Sequence, residues 1–502
     1  MSMIQEALEK IHIKQQMKAE WLNFFLFFLL ALFILSGVSI VPFHGDEATF
    51  IWLSRDYDTV IRRGLVKDIM FEPDGDAKDG QNTRMTTGSI FPFSVGLLCD
   101  IVNMNNDAVV NRWDWVYPPD EGDRMWSENI RNGNLPNTTL LLLARFVSAF
   151  AGALSLVFIF LSARRLLSSQ LSAWMAVLLL ATHGDFLVNV RRAMQEGVKF
   201  LFLSIVLYVA SVMLTEISQH RRVYVWLGVA SGLTLAAKQD AAPVLVAIYI
   251  VLVLIPLWKR ETQYVILLNI LYIFASTLVA FAVFYALMPV LWHWFLNVPV
   301  LIGIALLLFH IPSMQNKRIA LIGITVLLAI TIWMGAYQPL GALVHERQRT
   351  LNGQVGYRIK YDLFYLDTPK KRALFTLKSL FRSSVMYMES PRFDIGPINE
   401  QIATYEASLV HGRINSLALD TITAILFFTG IWTLLKHFGI RSLLFFSLLL
   451  IPTIILCITV PLAFQRYFLI LQIPYSLIAG AGVGQAWEWG KTLTEQSIRQ
   501  KS

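Results

Sequence analysis

The sequence predicts an all-α polytopic membrane protein, a bundle of about twelve transmembrane helices carrying two large external loops. Of its 502 residues, 56% are hydrophobic and 15% charged, and mean hydropathy is +0.56, which leaves too little polar surface for a water-soluble protein. The apolar residues gather into runs of about 17–25, the length at which a helix crosses a hydrocarbon core while satisfying its own backbone. Lys and Arg cluster at alternate ends of those runs. The formal net charge of +8 is therefore an orientation signal rather than a nucleic-acid surface.

The N-terminus and first helix occupy 1–42. Lys10, Lys14 and Lys18 precede an apolar run too long for a signal peptide and without a small-residue cleavage site, so the helix is expected to be retained. A polar, net acidic loop follows over 43–138. Helices two to nine are expected within 139–337: helix two at 139–161 before Ala163-Arg164-Arg165, helix three at 171–182, and helix four at 198–214 before His220-Arg221-Arg222. Helices five and six cover 223–237 and 241–257, followed by Lys259-Arg260. Helix seven reaches about 288, helix eight about 311, and Asn316-Lys317-Arg318 separates eight from nine, which ends near 337. A second external loop spans 338–419, and helices ten to twelve with the C-terminus fill 420–502, helix twelve at 467–486. Lys436, His437 and Arg441 lie between helices ten and eleven. This arrangement puts both termini and the short basic turns in the cytoplasm and both long loops outside.

Chemistry is expected at the outer ends of the helices. His44-Gly45-Asp46-Glu47 emerges from the first helix, where Asp46 can take a proton from a hydroxyl while a lipid-anchored donor lies in the bilayer beside it; the alternative is a solvated acid pair at a helix end. Arg145, in the outer part of helix two, is costly at that depth and reads as the partner of the acids or of a phosphate, with a snorkelling arginine as the plainer alternative. Arg191 or Arg192, followed by Glu196, sits in the turn between helices three and four, where a phosphate contact and an i,i+4 ion pair are both open. Lys238 ends helix five and Arg466 opens helix twelve, two more outer cations. In the second loop Leu374, Phe375, Leu377, Leu380, Phe381 and Val385 alternate with Lys371, Arg372, Lys378 and Arg382. That is the pattern of a basic amphipathic helix, resting on anionic lipid or closing over a donor. Cys99 and Cys457 suit neither a metal cluster nor a disulfide, and His345, Glu346 and His411 form no recognisable metal set. Asn137-Thr138-Thr139 matches a glycosylation acceptor but abuts a helix.

These markers, in this order from Asp46 to Pro474, resemble the polyprenyl-phosphate-sugar-dependent membrane glycosyltransferases, the group of protein O-mannosyltransferases and lipid A aminoarabinose transferases. The resemblance implies the C-type glycosyltransferase fold. It makes Asp46 the base that activates the acceptor, with Glu47 orienting it or holding the acceptor, and gives Arg145, Arg191, Glu196, Lys238 and Arg466 to substrate binding. The family's lysine-proline-proline motif is missing from the first loop, where Thr83-Arg84-Met85 stands instead and Arg84 takes the lysine's place. Tyr117-Pro118-Pro119-Asp120-Glu121, later in that loop, reads as a turn, and Arg62 and Arg63 are reserve cations.

The expected function is transfer of a sugar from a polyprenyl-phosphate donor to an acceptor hydroxyl on a protein, lipid or glycan, outside the cytoplasm, with no cofactor and no metal. A bacterial inner membrane is the preferred setting. The alternatives are a transporter or lipid flippase, which would carry its charges in mid-helix, and a lipid-diphosphate-dependent glycan polymerase or ligase.

Overall fold

A computed structural model describes residues 3–72, 80–104, 111–115, 121–215, 221–311, 323, 325–326, 338–361, 366–382, 395–412, 417–437, 439–462 and 464–501. The chain is an all-helical membrane bundle. Helix α1 (Met3–Ser36) is followed in the first loop by short helices that include α2 (Gly45–Trp52), α3 (Gln81–Thr86), α4 (Ile90–Ile101) and α5 (Gly122–Arg131). This loop is less plainly polar than its composition suggests, because α4 is apolar and packs Phe91, Val95 and Cys99 into the interior. Then come α6 (Thr138–Leu167), α7 (Gln170–Ala181), α8 (Gly184–Arg191), α9 (Glu196–Thr215), α10 (Arg221–Ala237), α11 (Ala242–Trp258), α12 (Gln263–Leu287) and α13 (Asn297–His310). The second loop holds α14 (Gln338–Tyr361), α15 (Pro369–Phe381) and α16 (Gly396–Glu406), and the chain closes with α17 (Leu417–Lys436), α18 (Ile440–Thr459) and α19 (Gln472–Lys501).

Among the described residues seven helices are long and apolar enough to cross a membrane, and the pair α7 and α8, bent by 63°, makes an eighth if it is one span. The expected helix three is thus the first limb of a broken element. Glu20–Ser36 and Asn297–His310 are shorter apolar helices at the positions expected for helices one and eight, and α10 is an apolar helix of 17 residues. The expected ninth helix lies largely outside the described residues. The last helix runs well beyond the expected end at 486, to Lys501, with Trp487, Leu493 and Ile498 exposed along it.

Helix starts follow from local chemistry. Asn137 Oδ1 accepts from the Leu140 amide at 2.9 Å, so the Asn-Thr-Thr triplet is the cap of α6. Close packing follows from small residues. Gly228 and Gly232 face α12, where a Cβ would press on the carbonyl oxygens of Ser276 and Ala280, a small-xxx-small contact of the kind that joins helices in a bilayer.

The two ends of the bundle differ in charge. At one, Arg164 lies 3.6 Å from Glu20 and Arg441 donates to Ser168 Oγ at 3.0 Å. At the other meet the start of α6, the start of α9, the end of α10 and the segment Gln465–Phe468 that opens the last span. In α15 Leu374 and Leu377 are 57% and 51% exposed while Leu380 is buried, and Arg372 donates to the Ile458 carbonyl at 2.7 Å, capping the end of α18. Val385 lies outside the described residues.

Candidate active site

Helix α2 begins with a capping box that fixes the acidic pair. His44 Nδ1 accepts from the Asp46 amide at 3.2 Å, and Glu47 Oε1 accepts from the His44 amide at 2.9 Å. Adjacent residues on a helix point about 100° apart, so the two carboxylates part company. Glu47 is 0% exposed and Asp46 21% exposed.

Glu47 is consumed by structure. Its Oε2 accepts from Arg145 Nε at 2.8 Å and from the Ala193 amide at 2.8 Å, and its Oε1 also accepts from Arg145 Nη2 at 2.9 Å. Arg145 completes its set on the Val38 carbonyl at 3.1 Å. This buried two-pronged pair ties α1, α2, α6 and the chain after α8 together. Arg145 thus meets the acids, as one of its two expected roles had it.

Asp46 is the carboxylate with access. Arg466 donates to its Oδ2 from the start of the last span. Burial works to raise the Asp46 pKa, but Arg466, with His44 and Lys238, outweighs it and the group is held at about 2. His44 is pushed down to about 4, first by burial and then, against the pull of Asp46, by Arg192 and Arg466, so the imidazole is neutral at physiological pH and its Nδ1 is free to act as the acceptor of the cap.

Asp46 borders a cleft of about 720 Å³. Lys238, Arg347 and Arg466 bring cations to it from the end of α10, from α14 and from the start of the last span. The first loop brings Trp52, Trp113 and Trp115, along with Asn111, Asn132 and Asn134. A cleft with clustered cations, the carboxylates of Asp46 and Asp114, aromatic faces and amides is equipped for a polar, partly anionic ligand.

Of the residues expected to bind substrate, Arg466 and Lys238 line this cleft. Lys238 also donates to Glu196. The expected i,i+4 pair does not form because the chain bends over residues 192–195, between α8 and α9, and turns Glu196 toward α10. Asp240 Oδ2 joins the group, 3.4 Å from Lys238 and 3.2 Å from Lys199 Nζ. Arg84 is paired with Asp56, at 2.6 Å from Nε and 2.7 Å from Nη2, away from the cleft lining. Arg191 is fully buried and donates to the carbonyls of Phe33, Ile34 and Val410 and to Tyr405 Oη. It fastens the end of α1 to the second loop rather than facing the cleft. Arg62 and Arg63 pair with Asp58 at the surface.

Sequence reading missed Trp113, Trp115, Asn132, Asn134 and Arg347. The run Arg112-Trp113-Asp114-Trp115 offered a signal, two tryptophans inside a polar loop, where nothing apolar is needed to span a membrane. Gly45 explains how the tryptophans reach the acids, because a Cβ there would collide with the Trp113 ring.

Residues 140–293 match the sequence profile of the family described as dolichyl-phosphate-mannose-protein mannosyltransferase. No curated protein matches the chain in sequence. Among solved structures, the Saccharomyces cerevisiae protein O-mannosyltransferase Pmt1-Pmt2 complex bound to the sugar donor is 17% identical with a TM-score of 0.39, over 54% of this chain and 33% of that one. The Archaeoglobus fulgidus oligosaccharyltransferase AglB, in complex with an inhibitory peptide and a dolichol-phosphate, is 11% identical with a TM-score of 0.47, over 96% of this chain and 52% of that one. The chain thus spans a third of the length of the yeast protein and about half that of the archaeal one. Over the stretch from the start of α6 to the turn after α12, the chain resembles the dolichyl-phosphate-mannose-protein mannosyltransferase family.

Proposed function

We propose that this protein is an integral-membrane glycosyltransferase of the C-type fold that moves a sugar from a polyprenyl-phosphate donor to an acceptor hydroxyl on the non-cytoplasmic side, in a bacterial inner membrane. The observation that carries the reading is Asp46, ionised and partly accessible, bonded to Arg466 at the edge of a cleft that Lys238 and Arg347 also line.

In this reading the bond from the anomeric carbon to the donor phosphate oxygen breaks as a bond forms from the acceptor oxygen to the same carbon, through an oxocarbenium-like state. The acceptor's proton passes to an Asp46 carboxylate oxygen, and the electron pair of the breaking bond leaves on the phosphate. Arg466 and Lys238 are fixed cations for that developing charge. A carboxylate held at about 2 is a weak base. Arrival of the donor phosphate supplies the remedy, since an anion that shares Arg466 and Lys238 with Asp46 offsets the charge that depresses the carboxylate and makes it more basic.

The expected outer position of the site and the cytoplasmic position of the basic turns follow the positive-inside pattern of the short loops. Glu47 and Arg145 hold α2 in place, and Glu196 holds Lys238 at the cleft.

The test is replacement of Asp46 with Asn, followed by assay of transfer from labelled polyprenyl-phosphate sugars in membranes. Transfer should fall by at least about a hundredfold, the span typical of a lost general base. Normal turnover by the Asn variant overturns the assignment of the base, and solute uptake with no sugar transfer by the parent protein overturns the enzyme reading.

A further inference from the structure

The cleft has two chemically different halves. One is cationic, with Lys238 and Arg466 at helix ends and Arg347 from α14. The other, built by the first loop, holds Trp113 and Trp115 with Asn111 and Asn132, and its two charges, Arg112 and Asp114, are of opposite sign. Asp46 stands where the halves meet: Arg466 bonds it from one, while its chain neighbours Gly45 and His44 touch the other. Trp113 packs on Gly45, and the Trp115 ring lies 5.5 Å from that of His44.

We propose that the first-loop half is a saccharide subsite and that the acceptor is a glycan, recognised through at least one sugar ring beside the one that receives the new bond. This rests on the glycosyltransferase reading above and adds the substrate class to it. The position of the base sets the direction. In a displacement at the anomeric carbon the attacking hydroxyl and the leaving phosphate lie on opposite faces of that carbon, so a phosphate on the cations leaves the acceptor to the tryptophan side.

The chemistry of the wall fits a sugar better than a peptide hydroxyl. A pyranose presents an apolar face of C–H groups ringed by hydroxyls, and an indole offers a flat apolar face of matching size. An amide side chain supplies an acceptor oxygen and two N–H donors from one group, a set suited to neighbouring hydroxyls. Trp115 is half-buried, and Asn111 and Asn132 are exposed. Trp113 forms the rigid backing: it is 5% exposed, packed at tilted angles against Phe43, Trp115 and Trp126, and its buried Nε1 has no hydrogen-bond partner among the described residues. A ring so fixed costs little entropy on binding.

The experiment uses the full chain in lipid nanodiscs without donor, titrated with free neutral manno-, gluco- and galacto-oligosaccharides and, separately, with a Ser/Thr-rich peptide, read by saturation-transfer NMR and tryptophan fluorescence. A saccharide series should bind the parent protein. Trp115→Ala should weaken that binding at least about tenfold, with Trp115→Phe recovering part of it. Asn132→Ala, at an exposed position, should weaken it as well and serves if Trp115→Ala does not fold. The proposal is overturned if no saccharide series binds, if only the peptide or only a lipid-linked sugar binds, or if binding is indifferent to both substitutions. Transfer from labelled lipid donor is followed on the same samples. Donor consumed onto peptide without saccharide binding defeats this proposal alone, whereas saccharide binding that responds to Trp115 without any donor consumption defeats the transferase reading alone.

Discussion

Glu47 gives both of its oxygens to Arg145, at 2.8 and 2.9 Å, so the acid beside the proposed base is a structural anchor. Its remaining bonds go to the amides of His44 and Ala193, which leaves it nothing to offer a substrate. Removing one partner of a buried, hydrogen-bonded pair typically costs about 3–5 kcal/mol, because the other charge stays buried alone. Arg145→Met should therefore lower thermal stability and the yield of folded protein by more than any surface arginine variant such as Arg124→Met. A stability close to that of the parent, measured by thermal unfolding in detergent, would remove Arg145 from this role.

Arg466 controls the acid side of the pH profile. In the free protein Asp46 is held at about 2 and His44 at about 4, so between pH 4 and the ordinary histidine range the folded state binds fewer protons than the unfolded one. Stability contributed by neutral His44 is present above about pH 6.5 and is lost as pH falls through that range toward 4. Activity per free enzyme should accordingly hold down to about pH 4, where protonated His44 Nδ1 no longer accepts from the Asp46 amide. In Arg466→Ala a charge that depresses both Asp46 and His44 is gone while burial of Asp46 remains, and the acid limb of kcat/KM should move to a pH clearly above 4. An unmoved limb would separate Arg466 from the titration of Asp46.

Asp240 serves two lysines, Lys199 at 3.2 Å and Lys238 at 3.4 Å. Asp240→Leu should leave Lys199 buried and unpaired, at a cost of about 3–5 kcal/mol. Adding Lys199→Met should recover a large part of the loss, because a buried pair replaced by apolar residues of similar volume is often neutral. Thermal unfolding of the two single variants and the double variant gives the coupling directly; additive losses would show that the lysine and the aspartate act separately.

Gly45→Ala probes the contact between the cap and the tryptophan wall. The added methyl meets the Trp113 ring, and overpacking of this kind costs about 1–3 kcal/mol. The variant should lose transfer activity along with stability, since the displaced ring lies beside Asp46. Retention of full activity and unfolding temperature would mean that the wall can shift freely.

Much of this was legible in the sequence. Run length and the spacing of Arg164-Arg165, Arg221-Arg222 and Lys259-Arg260 gave the membrane helices, because the bilayer imposes a length and the charges mark its edges. Asp46, Arg145, Lys238 and Arg466 stood out because a charge at a helix end is costly enough to need a reason. What the sequence could not give was pairing. Glu196 was assigned to the arginines four or five positions before it, and the bend after α8 sends it to Lys238 instead. Arg191 looked like a phosphate ligand, whereas backbone carbonyls 157 and 219 positions away claim it. Which cation meets which acid is set by how the helices pack, and periodicity within one helix does not encode that.

Asp46 and Arg466 are 420 positions apart. During synthesis and insertion, the proposed base is therefore made near the beginning and waits for almost the whole chain before its cation arrives. Until the last span enters the bilayer, Asp46 lacks the partner that keeps it ionised in a buried place, and the cleft lacks one wall. A chain released before that point lacks both this cation and this wall, so the proposed site is complete only once the last span is in place.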